Sequence, residues 1–454
     1  MNHTKANFLS LLPFLIFVGT FLGAGIVLQD FYALPSPIAV SIGIIAAFAM
    51  SRLPHQEKIK TFLHGCGESS VLTMCIIYLL AGAFSTVAQV SGSVDAVVNI
   101  GLTYISADYY ALGIFLLASF LSLSSGTSVG AIVALGPIAI QLAQKSGADL
   151  NLIGASLLGG AMFGDNLSVI SDTTIAAAQT LGSSMKDKFR TNFYLAAPAV
   201  VLTVVILLII GFSNPVAPIA YTPTPISWEL IFPYLVVLVL AFLGLDVFLV
   251  LVIGIFLAGT IGLWQGNLTW LSFAKASYEG FTSMTEIFLL SLLTGGLAAL
   301  VEKAGGIQYL LNKIEAKISS AKSAQLGAGL ITGLVNLCIA NNTVSILISG
   351  KVLKPISERF EVPARKMASV IDIFACIVQG LLPYGAQVLL IIGYSKNKIN
   401  YVDMLSHSYY LGLLFLMVVG SMFWGRSRNV LPSGGSGTES NTVIERNRNH
   451  RDDE

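Results

Sequence analysis

The chain has 454 residues, of which 55% are hydrophobic and 11% charged, with a formal net charge of +1. A soluble domain carries roughly 25% charged residues, so this composition describes a polytopic, all-α membrane protein, and the balanced charge offers nothing to a nucleic-acid partner. Cys66, Cys75, Cys338 and Cys376 lie in or beside apolar segments without CxxC spacing. They read as small buried hydrophobes rather than disulfides or metal ligands. No HExxH, P-loop or paired His/Cys pattern occurs, so neither an enzyme nor a cofactor is expected.

A bilayer core takes about 20 apolar residues per helix. In chain order, spans are expected over 8–28, 36–50, 69–91, 192–212, 227–244, 246–263, 281–301 and 405–425. The first is longer than a signal-peptide core and no A-x-A site follows it, so it is expected to stay as a helix. The regions 109–182 and 323–394 are also apolar, but polar or Gly-rich breaks interrupt each of them twice, giving about 10–13 membrane segments in all. The Pro-rich loop 213–226 separates two halves, and the polar tail from Arg426 is expected to be disordered. The organisation is an N-terminal hairpin over 1–60, a first transport repeat over 61–213, linking helices over 214–276, a second repeat over 277–425 and the tail 426–454.

The halves repeat. Ala81, Gly82, Val87 and Gly92 match Gly295, Gly296, Val301 and Gly306 at an offset of 214. Ser125-Gly126-Thr127 matches Asn341-Asn342-Thr343, and Gly164 matches Gly380, at an offset of 216. In that register Asp165 and Asp172 correspond to Leu381 and Val388, and Asp372 to Ser156. Loop charge says how the halves are related, because cytoplasmic loops are enriched in Lys and Arg. Residues 92–108 have no Lys or Arg, whereas the counterpart loop holds Lys303, Lys313, Lys317 and Lys322. The first is expected outside and the second inside, so the repeats are inverted. Lys186, Lys188 and Arg190 are expected in a cytoplasmic loop, and both termini on the cytoplasmic side of the inner membrane. Inverted repeats with paired broken helices mark secondary transporters, whose sites lie near the midplane.

The chemistry concentrates in Phe163–Thr174, where Asp165, Ser168, Ser171, Asp172, Thr173 and Thr174 interrupt an apolar surround. Ionisable residues at membrane depth mark an ion or substrate path. Asp165 and Asp172 are the candidate cation or proton ligands, with Ser168, Ser171, Thr173, Ser125 and Thr127 as supporting oxygens. Asn341, Asn342 and Thr343 would close the site from the other half, where a fourth break spans Gln379–Gly385. Asp372 sits in an otherwise apolar helix with Arg365 and Lys366 near the interface, so its carboxyl pKa is expected to be raised unless a cation or donor compensates. Glu68 and Glu286 read as interface residues, and Asp246 as a helix cap.

The stretch Gly159-Gly160-Ala161-Met162-Phe163-Gly164-Asp165-Asn166-Leu167-Ser168-Val169-Ile170-Ser171-Asp172-Thr173-Thr174 resembles the hallmark of NhaC-type sodium/proton antiporters, roughly G-A-x-F-G-D-x-x-S-P-x-S-D-T-T. Ser125-Gly126-Thr127-Ser128, Asn342-Thr343-Val344-Ser345-Ile346-Leu347-Ile348-Ser349-Gly350 and Pro383-Tyr384-Gly385 resemble other stretches of that family. The chain departs from it at Val169, where proline is usual, and at Asn166, where lysine is common. The resemblance implies a membership in a wider ion-transporter superfamily built on inverted repeats, re-entrant hairpins and elevator-like motion. Some of its members move organic acids or amino acids.

The favoured reading is a secondary carrier that exchanges Na⁺ for H⁺ across the inner membrane, with the lipid bilayer and a monovalent cation or small solute as its partners. The alternative is a Na⁺- or H⁺-coupled permease for an amino acid or small organic acid. A membrane enzyme or a simple pore is a third, argued against by the missing catalytic constellation and by the paired breaks. The sequence leaves a homodimer open.

Overall fold

The computed structural model describes residues 7–28, 34–216, 225 and 227–424, and every regular element among them is helical. Nine stretches among the described residues are long and apolar enough to cross a bilayer, and three more apolar helices are shorter. The expectation of disorder beyond Arg426 and most of the loop 213–226 lie outside the described residues.

The first half runs Leu12–Leu28, Ser36–Met50, His55–Cys66, Ser69–Val90, Ser93–Tyr104, Tyr110–Ser125, Ser128–Ser146, Leu150–Leu167, Asp172–Leu181 and Met185–Ser213. The second repeats it in order: Trp228–Phe242, Val247–Trp264, Trp270–Ser283, Thr285–Lys303, Gly306–Glu315, Ala321–Ile339, Asn342–Arg359, Ala364–Leu381 and Ala386–Tyr394. It closes with Tyr401–Ser406 and Tyr409–Trp424, where the first half has one long helix. The correspondence therefore reaches further toward the start of each half than the matched residues do. Helices 55–66, 93–104, 270–283 and 306–315 fall outside the expected spans. The second and fourth of these start from Gly92 and Gly305 in the left-handed region (φ 88° and 86°), where glycine carries no Cβ penalty.

The structure corrects the register of the repeat. The left-handed residue ending helix 110–125 is Gly126 (φ 74°), and the one ending helix 321–339 is Ala340 (φ 53°), 214 positions on. Thr127 caps the next helix by accepting from Gly130 N, and Asn341 does the same from Val344 N. Ser122 Oγ donates to Ala161 O (2.6 Å), and Asn336 Nδ2 to Ala375 O (2.9 Å). Each pair keeps an offset of 214, so the register of 216 is wrong by two residues. The tips conserve a backbone turn and a cap rather than residue types, which is why matching Gly and Thr letters misaligned them. In the true register Asp165 is equivalent to Gln379, Ser128 to Asn342, Thr173 to Gln387, and Asp372 to Leu158.

The repeats are inverted. Equivalent helices 69–90 and 285–303 pack antiparallel: Gly82 faces Met284, Cys75 Sγ meets Phe288 O, and Val71 faces Gly295. Equivalent helices 150–167 and 364–381 do likewise, with Cys376 Sγ donating to Met162 O (3.4 Å) and Asn166 reaching Asp372 (3.1 Å). A two-fold that reverses helices lies across their axes, in the plane of the membrane. All four cysteines are buried and free, and Asp246 caps helix 247–264 through Phe248 N (2.9 Å).

Candidate ion site

Helix 110–125 runs parallel to helix 150–167, with Phe115 against Gly160 and Ser119 against Gly164. The approach requires those glycines: a Cβ on Gly160 would stand 2.2 Å from Phe115 O, and one on Gly164 2.5 Å from Leu123 N. Helix 128–146 runs the opposite way, from Ser128 at Asp165 to the short connection before Leu150. Helices 110–125 and 128–146 are thus two arms of a hairpin whose tip, Gly126–Thr127, ends at the level of Asp165. The repeat makes 321–339 and 342–359 the matching hairpin, with its tip at Ala340–Asn341. The breaks at 168–171 and 382–385 instead interrupt helices that continue as 172–181 and 386–394.

Two carboxylates lie in the buried interior. Asp165 accepts Ser128 Oγ–H at 2.7 Å and Ser171 Oγ–H at 2.6 Å. Ser171 occupies the N-cap position of helix 172–181, yet its hydroxyl serves Asp165 rather than the helix, and it also meets Thr173 Oγ1 at 2.9 Å. The polar line then crosses into the second repeat, because Gln387 Nε2 donates to Ser128 Oγ (3.0 Å) and Gln379 Nε2 to Gln387 Oε1 (3.0 Å).

Asp372 has a different partner. Lys188 Nζ lies 2.5 Å from its Oδ2, with both side chains essentially inaccessible. Asn192 Nδ2 (2.9 Å) and Asn166 Nδ2 (3.1 Å) donate to the same oxygen. Lys188 also donates to Thr174 Oγ1 (2.5 Å) and Asn166 O (3.4 Å). The compensating cation that a buried carboxylate requires is therefore present, supplied from another helix.

The expected site residues separate. Asp165, Ser171 and Thr173 meet as a cluster, and Ser168 is buried beside it in the break, accepting from Ile170 N (3.4 Å). Asp172 does not join them: it stands in the first turn of helix 172–181 with its side chain exposed. Ser125 and Thr127 shape the first tip, Ser125 Oγ donating to Thr127 O (3.5 Å). Asn341 caps the second tip, Asn342 Oδ1 accepts from Thr343 N (3.1 Å), and Thr343 lies in the first turn of helix 342–359.

Lys188 and Asn192 were missed. The reading of Lys188 as a loop residue is corrected: helix 185–213 begins early enough to carry it inside, and it is 1% exposed. The available signal was periodic. Lys188, Asn192, Leu195, Ala196, Ala199, Thr203, Leu207 and Gly211 are the buried stripe of that helix, a three-to-four-residue repeat of apolar and small residues that runs straight back into the two polar ones.

At the second hairpin tip, against helix 69–90, lies a cavity of about 50 Å³, lined among others by Ser70, Val129, Asn341, Asn342, Gln379 and Gln387. No charged side chain lines it.

An all-helical membrane protein with two inverted repeats, hairpin tips meeting broken helices, and a buried carboxylate at the junction has the architecture of a secondary transporter. The family model of the Na⁺/H⁺ antiporter family matches residues 5–212 and again 213–426, and the chain belongs to that family. It is 24% identical over 420 residues to the malate-2H⁺/Na⁺-lactate antiporter of Bacillus subtilis (strain 168), covering 85% of this chain and 88% of that one. It is 25% identical over 373 residues to the Na⁺/H⁺ antiporter NhaC of Alkalihalophilus pseudofirmus, covering 76% and 80%. Among solved structures, the YdaH transporter of Alcanivorax borkumensis aligns over 92% of this chain and 98% of that one, at 15% identity and a TM-score of 0.42.

Proposed function

We propose that this protein exchanges Na⁺ for H⁺ across the cell's inner membrane, with Asp165 as the carboxylate for which the two cations compete. One observation carries the reading. Among the described residues the buried charged groups are Asp165, Asp372 and Lys188, and Lys188 already neutralises Asp372. Asp165 is left with neutral donors from Ser128 and Ser171, so the buried set carries one uncompensated negative charge. An isolated carboxylate is costly in a low-dielectric interior, and either a proton or a small monovalent cation removes that cost. Ser128 and Ser171, already on its two oxygens, and Thr173 beside them supply the neutral oxygens that a dehydrated Na⁺ requires.

A carrier that moves when Asp165 is neutralised, by either cation, and not when it is bare, performs exchange. Asp372 and Lys188 act as a fixed pair that positions helix 364–381 against helix 185–213. The basic residues of loops and tail support cytoplasmic termini. The relative named for malate and lactate keeps the organic-acid alternative in view, but a cavity without Lys, Arg or His favours a cation over a carboxylate cargo. The test is purified protein in proteoliposomes: Na⁺ is expected to collapse an imposed pH gradient with wild type and not with Asp165→Asn. Uptake of labelled lactate or malate without Na⁺-driven proton movement would replace the reading with the permease.

A further inference from the structure

We propose that the cavity at the second hairpin tip is a second cation subsite, built from neutral oxygens, chiefly of the second repeat, and weaker than the Asp165 site. The inference rests on the reading of Asp165 as a cation ligand, and the experiment below separates the two.

The first observation is the direction of the hydrogen-bond line. An ionised carboxylate only accepts, so the Ser128 hydroxyl points its hydrogen at Asp165 and accepts from Gln387. The Gln387 amide nitrogen is then engaged on Ser128, and its oxygen accepts from the Gln379 nitrogen. The orientation of every group follows from the carboxylate at one end. At the other end it leaves Gln379 Oε1, which has no partner although the residue is 2% exposed and lines the cavity. Ser70 Oγ, on the same cavity, also lacks a partner. Among the described residues thirteen buried side-chain polar atoms lack a partner, and these two are the ones whose residues line this cavity, where a bound donor or cation would satisfy them.

The second observation is independent of hydrogen bonding. Gln379 occupies, in the second repeat, the position Asp165 holds in the first, and Asn342 occupies that of Ser128. The inverted fold therefore places carboxamides in the second repeat at the positions where the first has a carboxylate and its hydroxyl donor. An open acceptor oxygen disfavours an anion and favours a cation or a donor. The cavity exceeds the roughly 10–15 Å³ needed for one water, so it has room for a small cation keeping part of its hydration shell. Without a counter-charge the affinity is lower than at Asp165.

Equilibrium binding of ²²Na⁺ to the purified full-length protein tests this directly. Wild type is expected to show two phases. Gln379→Leu is expected to abolish the weak phase and keep the tight one, and Asp165→Asn to do the reverse. Gln379→Glu, which keeps the shape and adds a charge, is expected to strengthen the weak phase about tenfold or more, and decides the matter if the leucine variant fails to fold. A single phase in wild type overturns the subsite. So do an unchanged weak phase in Gln379→Leu and the absence of any strengthening in Gln379→Glu; the cavity then holds water only. If Asp165→Asn keeps both phases while Gln379→Leu loses one, the subsite stands and the assignment of Asp165 fails.

Discussion

Neutralising Lys188 is the perturbation with the largest expected structural consequence. Lys188→Met strands the Asp372 carboxylate in a site where its side chain is essentially inaccessible. Removing one partner of a buried ion pair costs about 3–5 kcal/mol. Asp372 keeps the Asn192 and Asn166 amides at 2.9 and 3.1 Å, and hydrogen bonds to a charged group contribute about 1.5–3 kcal/mol each. The loss should therefore fall at the lower end, about 3 kcal/mol. Asp372→Leu strands the ammonium instead, with Thr174 Oγ1 and Asn166 O still accepting from it, for a similar loss. Replacing both removes the pair together with its desolvation cost. The double variant should lose no more than about 2 kcal/mol, a coupling of about 4 kcal/mol. Unfolding of the purified variants in mixed micelles, run as a double-mutant cycle, reads this directly. Losses that add within about 0.5 kcal/mol would refute the buried pair.

Other outcomes follow from the same geometry. Asp372→Asn removes the net negative charge of the buried set and is expected to weaken Na⁺ binding, while its residual exchange keeps the wild-type pH profile; a flattened profile would make Asp372 the titrating group. Ser128→Ala deletes a donor to Asp165 and the acceptor of Gln387, and its Na⁺ affinity should fall about tenfold, the equivalent of one charged hydrogen bond of about 1.5 kcal/mol. Asp172→Asn changes an exposed group at a helix N-terminus, so exchange should stay within about twofold of wild type and stability fall by about 0.3–1 kcal/mol. Gly164→Ala places a Cβ 2.5 Å from backbone atoms of helix 110–125 and should cost about 1–3 kcal/mol, measured by thermal unfolding in detergent.

Much of the architecture was readable from the letters. Apolar length gave the spans, loop charge gave the inversion, and the polar stretch around Asp165 marked the carboxylate that the fold buries at a hairpin tip. Other features depend on three dimensions. The register at the tips is held by left-handed turns at Gly126 and Ala340, and a turn can be kept while its residues change. Asp172 follows Asp165 by seven positions, but the break at 168–171 re-aims the chain and leaves it exposed. Lys188 carries the charge pattern of a cytoplasmic loop, and only the stripe of apolar and small residues behind it says that its helix faces inward. The line from Asp165 through Ser128 to Gln387 and Gln379 joins residues more than two hundred positions apart, where no local pattern operates.

The central claim is that Na⁺ and H⁺ compete for Asp165. Na⁺-driven proton movement in proteoliposomes, followed across roughly pH 6 to 9, the range into which desolvation carries buried carboxyl groups, tests it most directly. Because a protonated Asp165 excludes the cation, the apparent KM for Na⁺ is expected to rise as pH falls, and Asp165→Asn to show no Na⁺-driven proton movement at any pH. A KM for Na⁺ that is flat across that range, or exchange that survives in Asp165→Asn, would contradict it.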